Sequence, residues 1–443
     1  MLHLPKHRRL TVSEIHQLHP HLQPDELLEA LRSFASTPGL TDVCSRCGSR
    51  DIAPFDCFRC HGPCRYCRSC LQMSVIRGCE RLYYAELEPP VPSGRGRCTW
   101  DGTLSPSQQQ AADALVRAWE DGRTEQLLWA VCGAGKTEML FPLIGAVLDA
   151  GHPVLVTAPR RDVVQELAPR LKQAFPDAVT AALHGGLEPH ERFLEADLYV
   201  ATTHQAMRLY HSFPVVFIDE VDAFPYTADE RLHRAVRTAA RADALHVTVS
   251  ATPSASDQRR VRKGALPAAV VPRRYHGQDL PVPTLVWAGN WAKRLARGML
   301  PSVVTAFLQR HAERPVMLFV PEVVQLDDVE RAVQAALPGQ TTASVHAGEP
   351  ERAARVAAFR SGEVDILLTT TILERGVTIY DVQVAVLGAE AEIFTETALV
   401  QIAGRAGRHP QAADGDVVFF HYGYRRAAAK AVAMIEKLNR RQA

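Results

Sequence analysis

An α/β protein with two lobes, each a doubly wound parallel sheet, preceded by a small cysteine-rich module is the fold this sequence predicts, and three observations carry it. First, from about residue 101 short apolar runs alternate with helical stretches: QLLWAVC, HPVLVTAP, DLYVATT, PVVFIDE and LHVTVSA. Buried strands joined by crossover helices read this way, because a parallel sheet covered on both faces needs nearly continuous hydrophobic strands. Second, a further series follows a proline- and arginine-rich stretch at 259–283: PTLVWAG, PVMLFVP, TASVHAG, VDILLTTT, VQVAVLGA and DVVFFHY. Third, seven of the ten cysteines fall within residues 44–70.

The 443 residues, 47% hydrophobic and 22% charged, suffice for two or three ordinary cores and exclude a fibrous or disordered chain. The opening MLHLPKHRRLTVSEIHQL carries no apolar segment with a cleavage site, and no run of about 18 apolar residues occurs, so a soluble cytoplasmic protein is expected. A net charge of +1 leaves any affinity for nucleic acid to local basic patches.

In a reducing compartment, paired cysteines hold metal more often than they form disulfides. Cys44 and Cys47 in CSRCG, with Cys67 and Cys70 in YCRSC, have the spacing of a four-thiolate structural Zn²⁺ site, and Gly48 permits the tight turn of the first knuckle. Spacing leaves two alternatives open: Cys57, Cys60, His61 and Cys64 could hold a second ion or replace one outer pair. Cys98 and Cys132 are expected to pack as small hydrophobes. Arg46, Arg50, Arg59, Arg65 and Arg68, with Phe55, Phe58 and Tyr66, suit either phosphate contact and base stacking or docking onto a neighbouring domain. The division expected is an N-terminal helical extension at 1–40 and a zinc-binding module at 41–100, then a first lobe at 101–283 ending in the interlobe linker and a second lobe at 284–443.

The chemistry sits at strand ends. After QLLWAVC comes Gly133-Ala134-Gly135-Lys136-Thr137, a turn of small residues opening a helix. Backbone amides there can close around phosphates, Lys136 can neutralise the β and γ groups, and Thr137 can ligate Mg²⁺, which makes ATP the expected nucleotide. Ala130 stands where the strict motif has its first glycine. VVFIDEVD ends a strand in Asp219, suited to hold Mg²⁺ through water, and Glu220, suited to deprotonate the attacking water. Ser250 to Thr252, SAT, offers two small hydroxyls for coupling the nucleotide pocket to the second lobe. QIAGRAGR supplies Gln401, Arg405 and Arg408, the arginines being placed to act as fingers on the γ-phosphate.

With these motifs in order, residues 101–443 resemble a superfamily 2 helicase motor, whose lobes are RecA-like. LSPSQQQA, with Gln108, resembles the segment that reads adenine. TAPRRDVVQEL and ATTHQAMRLY resemble strand-contact segments of the first lobe, and TTTILERGV resembles the second-lobe segment that touches nucleic acid and nucleotide, which implies Gly376 at the nucleotide. Within the superfamily, DEVDAFPY, LHGG, ATTHQ and the N-terminal CxRCG…YCRSCL look closest to the ComFA family, competence ATPases. That resemblance implies ATP-driven movement of single-stranded DNA during transformation, beside a membrane DNA-uptake channel at the inner face of the membrane and a ComFC-like, phosphoribosyltransferase-like partner, and it is compatible with an oligomer.

A translocase grips the phosphodiester backbone rather than the bases. The candidate contacts are Pro159, Arg160 and Arg161, Thr202, Thr203, His204 and Gln205 in the first lobe, and His346, Thr370 and Thr371 in the second, with Arg160 and Thr203 foremost. A replication-restart helicase also joins zinc cysteines to such a motor, but there the metal module is expected inside the second lobe. A non-motor zinc scaffold would not need the phosphate loop.

Overall fold

The computed structural model describes residues 2–374, 379–423 and 426–440. By their contacts the residues form two compact units, 1–128 with 137–269, and 129–136 with 270–443.

The first unit begins with two small antiparallel pairs. β1 (Ala35–Pro38) lies beside β4 (Arg81–Tyr84), and β2 (Ile52–Cys57) pairs with β3 (Gly62–Cys67) in a hairpin that sets Ile52 opposite Cys67 and Cys57 opposite Gly62. The helix Val12–Leu18 before them starts at a capping box, in which Thr11 and Glu14 satisfy each other's free amides.

A seven-stranded sheet follows: β5 (Glu125–Ala130), β6 (Val154–Ala158), β7 (Thr180–Leu183), β8 (Leu198–Thr202), β9 (Phe213–Ile218), β10 (Ala240–Ser250) and β11 (Ala268–Val271), in the order β11-β5-β10-β9-β6-β8-β7. The pairs β10–β9, β9–β6, β6–β8 and β8–β7 are parallel, and β6 and β8 are buried along their whole length. The five apolar runs of the sequence are β5, β6, β8, β9 and β10; β7 and β11 join them as short strands at the two edges. Leu40, Ile76 and Leu82 share one hydrophobic core with Leu155, Tyr199, Phe213, Leu232 and Val236 of the sheet and its helices.

The second unit carries a six-stranded sheet of β12 (Thr284–Trp287), β13 (Val316–Phe319), β14 (Thr342–Val345), β15 (Ile366–Thr369), β16 (Gln383–Leu387) and β17 (Val417–His421). Its order is β12-β17-β16-β13-β15-β14, every neighbouring pair is parallel, and the six predicted runs match the six strands one for one. Among the described residues no helix is long and apolar enough to cross a membrane.

Candidate active site and metal centre

The phosphate loop leaves β5 at Ala130 and enters the helix Lys136–Asp149. Gly133 and Gly135 hold φ values of +79° and +71°, a backbone region open to glycine at little cost, so the chain turns tightly into the helix, with the Ala134 amide donating to the Val131 carbonyl at 3.1 Å. Ala130 is the fully buried last residue of the strand, where a methyl packs and glycine freedom is not required. Thr137 is buried and Lys136 half-buried.

Residues 129–136 pack with the QIAGRAGR segment in the second unit. Cys132 donates its thiol hydrogen to Gln401 Oε1 at 3.0 Å. Gly404 caps the helix Glu396–Ala403, and a Cβ there would lie 2.4 Å from Cys132 Cβ, so only glycine lets the two backbones approach this closely. Arg405 is 2% exposed, with Nε donating to the Glu374 carbonyl at 3.0 Å, and half-buried Arg408 folds its Nε onto the Gly404 carbonyl at 3.0 Å. Arg274, within the stretch taken as a linker, is a residue the sequence did not single out. It is buried, lies against Gly133, and donates to the Ala406 carbonyl at 2.6 Å and to the Gly407 carbonyl. Burial, and then the neighbouring Arg408 charge, lower its pKa to about 10.

Asp219, Glu220 and the SAT segment belong to the first unit. The Asp219 amide donates to the Thr157 carbonyl at 2.8 Å, and Asp219 Oδ1 accepts from the Glu220 amide at 2.9 Å. Glu220 sits at φ +53°, an uncommon conformation for a residue with a Cβ and one that recurs at functional sites. The SAT hydroxyls find their partner in Asp222: Ser250 Oγ donates to Oδ1 and Thr252 Oγ1 to Oδ2, each at 2.7 Å. Gln108 is committed to its own capping box, its Oε1 accepting from the Ser105 amide at 2.7 Å. Gly376 lies outside the described residues.

The four outer cysteines converge. Cys44, Cys47, Cys67 and Cys70 are each at most 1% exposed, with their sulfurs all within 4.8 Å of one another; Cys44–Cys70 is 3.8 Å and Cys47–Cys67 3.6 Å. Zinc–thiolate bonds of about 2.3 Å in a tetrahedron require sulfurs about 3.8 Å apart, so this donor set fits Zn²⁺. The two outer pairs come together as one donor set, and among the described residues Cys57, Cys60 and Cys64 gather elsewhere. Gly48 has φ +76° and its amide donates to the Cys44 carbonyl at 2.7 Å, closing the first knuckle. Hydrogen bonds from Cys47, Cys67 and Cys70 lower the Cys44 thiol below its ordinary value.

The arginine inside that knuckle is structural. Arg46 is 1% exposed and pairs with Glu14, whose other oxygen accepts from Arg208 Nε at 2.8 Å; Arg208 also reaches the Met73 carbonyl at 3.0 Å and Gln205 Oε1 at 2.6 Å. Burial pushes the Glu14 carboxyl up, but Arg46 and Arg208 outweigh it and hold it at about 2. One buried carboxylate thus joins the N-terminal helix, the first knuckle and the ATTHQ segment. Arg50, Arg59, Arg65 and Arg68 are exposed instead. Cys132 is buried as expected, whereas Cys98 is exposed, in the irregular stretch before the helix Pro106–Glu120.

The candidate DNA contacts divide by exposure. Arg161 and His204 are exposed; Arg160 is half-buried and paired with Asp162 at 3.2 Å; Gln205 is held by Arg208. Thr202 and Thr203 are buried, and the Thr203 amide donates to the Ala158 carbonyl at 3.0 Å. Thr370 and Thr371 stand half-buried at the end of β15, and His346 at the end of β14 faces Glu349 at 3.7 Å.

Comparison with known proteins is consistent along the chain. The model for the competence protein ComFA N-terminal domain matches residues 2–84, the type III restriction enzyme res subunit model 101–255, and the helicase conserved C-terminal domain model 299–410. Competence protein ComFA of Bacillus subtilis is 45% identical over 89% of this chain and 85% of its own length, and that of Streptococcus pneumoniae 36% identical over 85% and 86%. The Mycobacterium smegmatis helicase Lhr, solved with ssDNA and AMP-PNP, shares the fold with a TM-score of 0.53 at 16% identity, over 76% of this chain and 48% of that one. The chain therefore belongs to the ComFA family, competence-associated, helicase-type ATPases built on the superfamily 2 motor.

Proposed function

We propose that the protein is an ATP-driven single-stranded DNA translocase that draws transforming DNA into the cytoplasm, working at the inner face of the membrane beside an uptake channel and a ComFC-like partner. On this reading residues 1–40 are an extension, 41–100 the zinc module, and 101–283 and 284–443 the motor lobes. The observation that carries it is the packing of Gln401 and Gly404 on Cys132, which sets the arginine-bearing segment on the loop that binds phosphate.

Gly133, Ala134, Gly135 and Lys136 cradle the phosphates of ATP, and Thr137 and Asp219 hold Mg²⁺, which screens phosphate charge. Glu220 takes the proton of the attacking water. Arg405 and Arg408 offset the charge that develops on the transferred phosphoryl, and Gln401, bonded to Cys132, acts with them from the same segment. Asp222, gripped by Ser250 and Thr252, links the acidic strand end to the SAT segment, so that a change at Glu220 is passed along the first unit. Gln108 and Gly376 complete the nucleotide site. Arg160, Arg161, Thr202, Thr203, His204 and Gln205 with Thr370 and Thr371 form the track for the DNA backbone, with exposed Arg161 and His204 making first contact.

Steady-state ATP turnover with and without single-stranded DNA tests this. DNA should stimulate the unsubstituted chain, Glu220→Gln should bind ATP while turnover falls on the order of 10² to 10⁵, and Arg408→Ala should lose most of the stimulation. Turnover indifferent to DNA in the unsubstituted chain would overturn the translocase reading.

A further inference from the structure

We propose that Cys57, Cys60, Cys64 and Cys79 bind a second Zn²⁺ at the surface of the N-terminal module, and that this ion exchanges much faster than the one held by the buried cysteines. The inference is independent of the motor's activity.

The hairpin and one following turn build the site. Cys57 ends β2 opposite Gly62, and Cys64 lies opposite Phe55 on β3. Between them the turn 58–61, closed by His61 at φ +53°, returns Cys60 toward the strands. Cys79 arrives from outside the hairpin: Arg77 bridges to Tyr66, and the Gly78 amide donates to the Arg65 carbonyl at 2.8 Å. One sulfur from each of the four cysteines lies within 4.8 Å of the others, and Cys57–Cys79 is 3.8 Å. That is the spacing of about 3.8 Å that a zinc tetrathiolate requires. The fourth ligand is therefore Cys79, a cysteine to which the sequence alone assigned no role, and His61 is not needed.

Hydrophobic burial does not explain this convergence. The first four cysteines belong to the core shared with the sheet, so packing as well as metal binding favours bringing them together. The second four do not belong to it: Cys60 and Cys79 are exposed, Cys64 is half-buried, and Cys57 is buried. A thiol is a weak donor and a weak acceptor, so four thiols at a surface gain little from one another; four thiolates around a dication gain a great deal. The surrounding charge suits such a centre. Arg59 and Arg77 approach buried Glu80 at 3.3 and 3.7 Å, which leaves one positive charge of the three groups to offset a tetrathiolate zinc of net charge −2. Exposed Cys60 and Cys79 give a chelator a direct route to the ion, whereas the first quartet offers none.

Metal analysis of freshly purified full-length protein should find two zinc ions per chain, and Cys79→Ser should retain one. Challenge with a chelating dye should release zinc from the unsubstituted chain in a fast and a slow phase of equal size, with only the slow phase left in Cys79→Ser. If Cys79→Ser perturbs folding, cobalt titration of the unsubstituted chain replaces it: two equivalents should each develop the absorption of a tetrahedral thiolate centre. One zinc in the unsubstituted chain, unchanged in Cys79→Ser, would overturn the second site while leaving the first intact. Two zincs released in a single phase would overturn the difference in exchange.

Discussion

Cys44, Cys47, Cys67 and Cys70 share a core with Tyr199, Phe213 and Leu232, whereas in the quartet of Cys57, Cys60, Cys64 and Cys79, which lies outside that core, Cys60 and Cys79 are exposed, Cys64 is half-buried and Cys57 is buried. The donor chemistry is the same in the two quartets, and the surroundings differ. Around the first, a bound ion would be coupled to folding, because losing it would leave four buried thiols within the core shared with the sheet. Around the second, metal organises a hairpin tip that water can solvate in either state. A zinc ligand set therefore does not by itself say how much of a fold depends on it; what packs behind the sulfurs does.

The widest separation expected is between Cys70→Ser and Cys79→Ser. Removing a ligand of the first site should release its zinc and abolish the cooperative unfolding of residues 1–128 with 137–269, since structural zinc contributes on the order of 10 kcal/mol of binding free energy to folding. Cys79→Ser should keep the thermal midpoint within a few degrees. Thermal unfolding and limited proteolysis of the two variants read this directly, and equal losses would break the comparison.

Next in size is the carboxylate behind the first knuckle. Arg46→Ala leaves the buried Glu14 carboxylate with Arg208 as its remaining arginine partner, a change that costs about 3–5 kcal/mol when a buried pair is broken. Arg59→Ala, at the rim of the second quartet, should cost less because Arg77 still faces Glu80. Glu14 also sets a pH dependence. Its folded pKa of about 2 lies below the ordinary 4.5, so its stabilisation is fully present above pH 4.5 and is lost as pH falls from there toward 2. The stability gap between the unsubstituted chain and Glu14→Gln should be flat above that window and narrow within it. A gap that widens on acidification would refute the pairing.

The sheets were legible because a parallel strand buried on both faces announces itself as an apolar run, and all the runs singled out became strands. Within the two large sheets only β7 and β11, short edge strands of four residues, escaped, as did the four strands of the small antiparallel pairs. The first metal quartet was legible from its two paired knuckles. The second was not, because Cys79 stands alone in sequence and is brought to the hairpin by backbone contacts of its neighbours, the bridge from Arg77 to Tyr66 and the bond from Gly78 to Arg65. Glu14 reads as an ordinary acid in the first turn of a helix, and Arg274 as one more arginine of a linker. Their burial is decided by groups distant in the chain, Arg46 and Arg208 for one and the Ala406 and Gly407 carbonyls for the other, which no local pattern records. Likewise Thr203 lies in a strand-contact segment, but its burial depends on how that segment packs.

The smallest effect expected lies in the turns that close the two quartets. Gly48 follows Cys47 at φ +76°, where a Cβ costs about 1–2 kcal/mol, and that Cβ would also meet the Arg234 side chain at 2.3 Å from its Cδ. Arg234 can swing aside, so the backbone term should dominate, and Gly48→Ala should lower stability by about 1–2 kcal/mol with zinc still bound. Gly62 opens β3 opposite Cys57 and has nothing within 4 Å of the place a Cβ would take. Gly62→Ala should therefore change stability by less than about 0.5 kcal/mol, as surface substitutions do, while leaving the zinc count unaltered. Denaturant unfolding of the two alanine variants measures both. If Gly62→Ala proved as damaging as Gly48→Ala, the second turn would be as tightly packed as the first, and the contrast between a buried and a solvated metal site would fail at its finest scale.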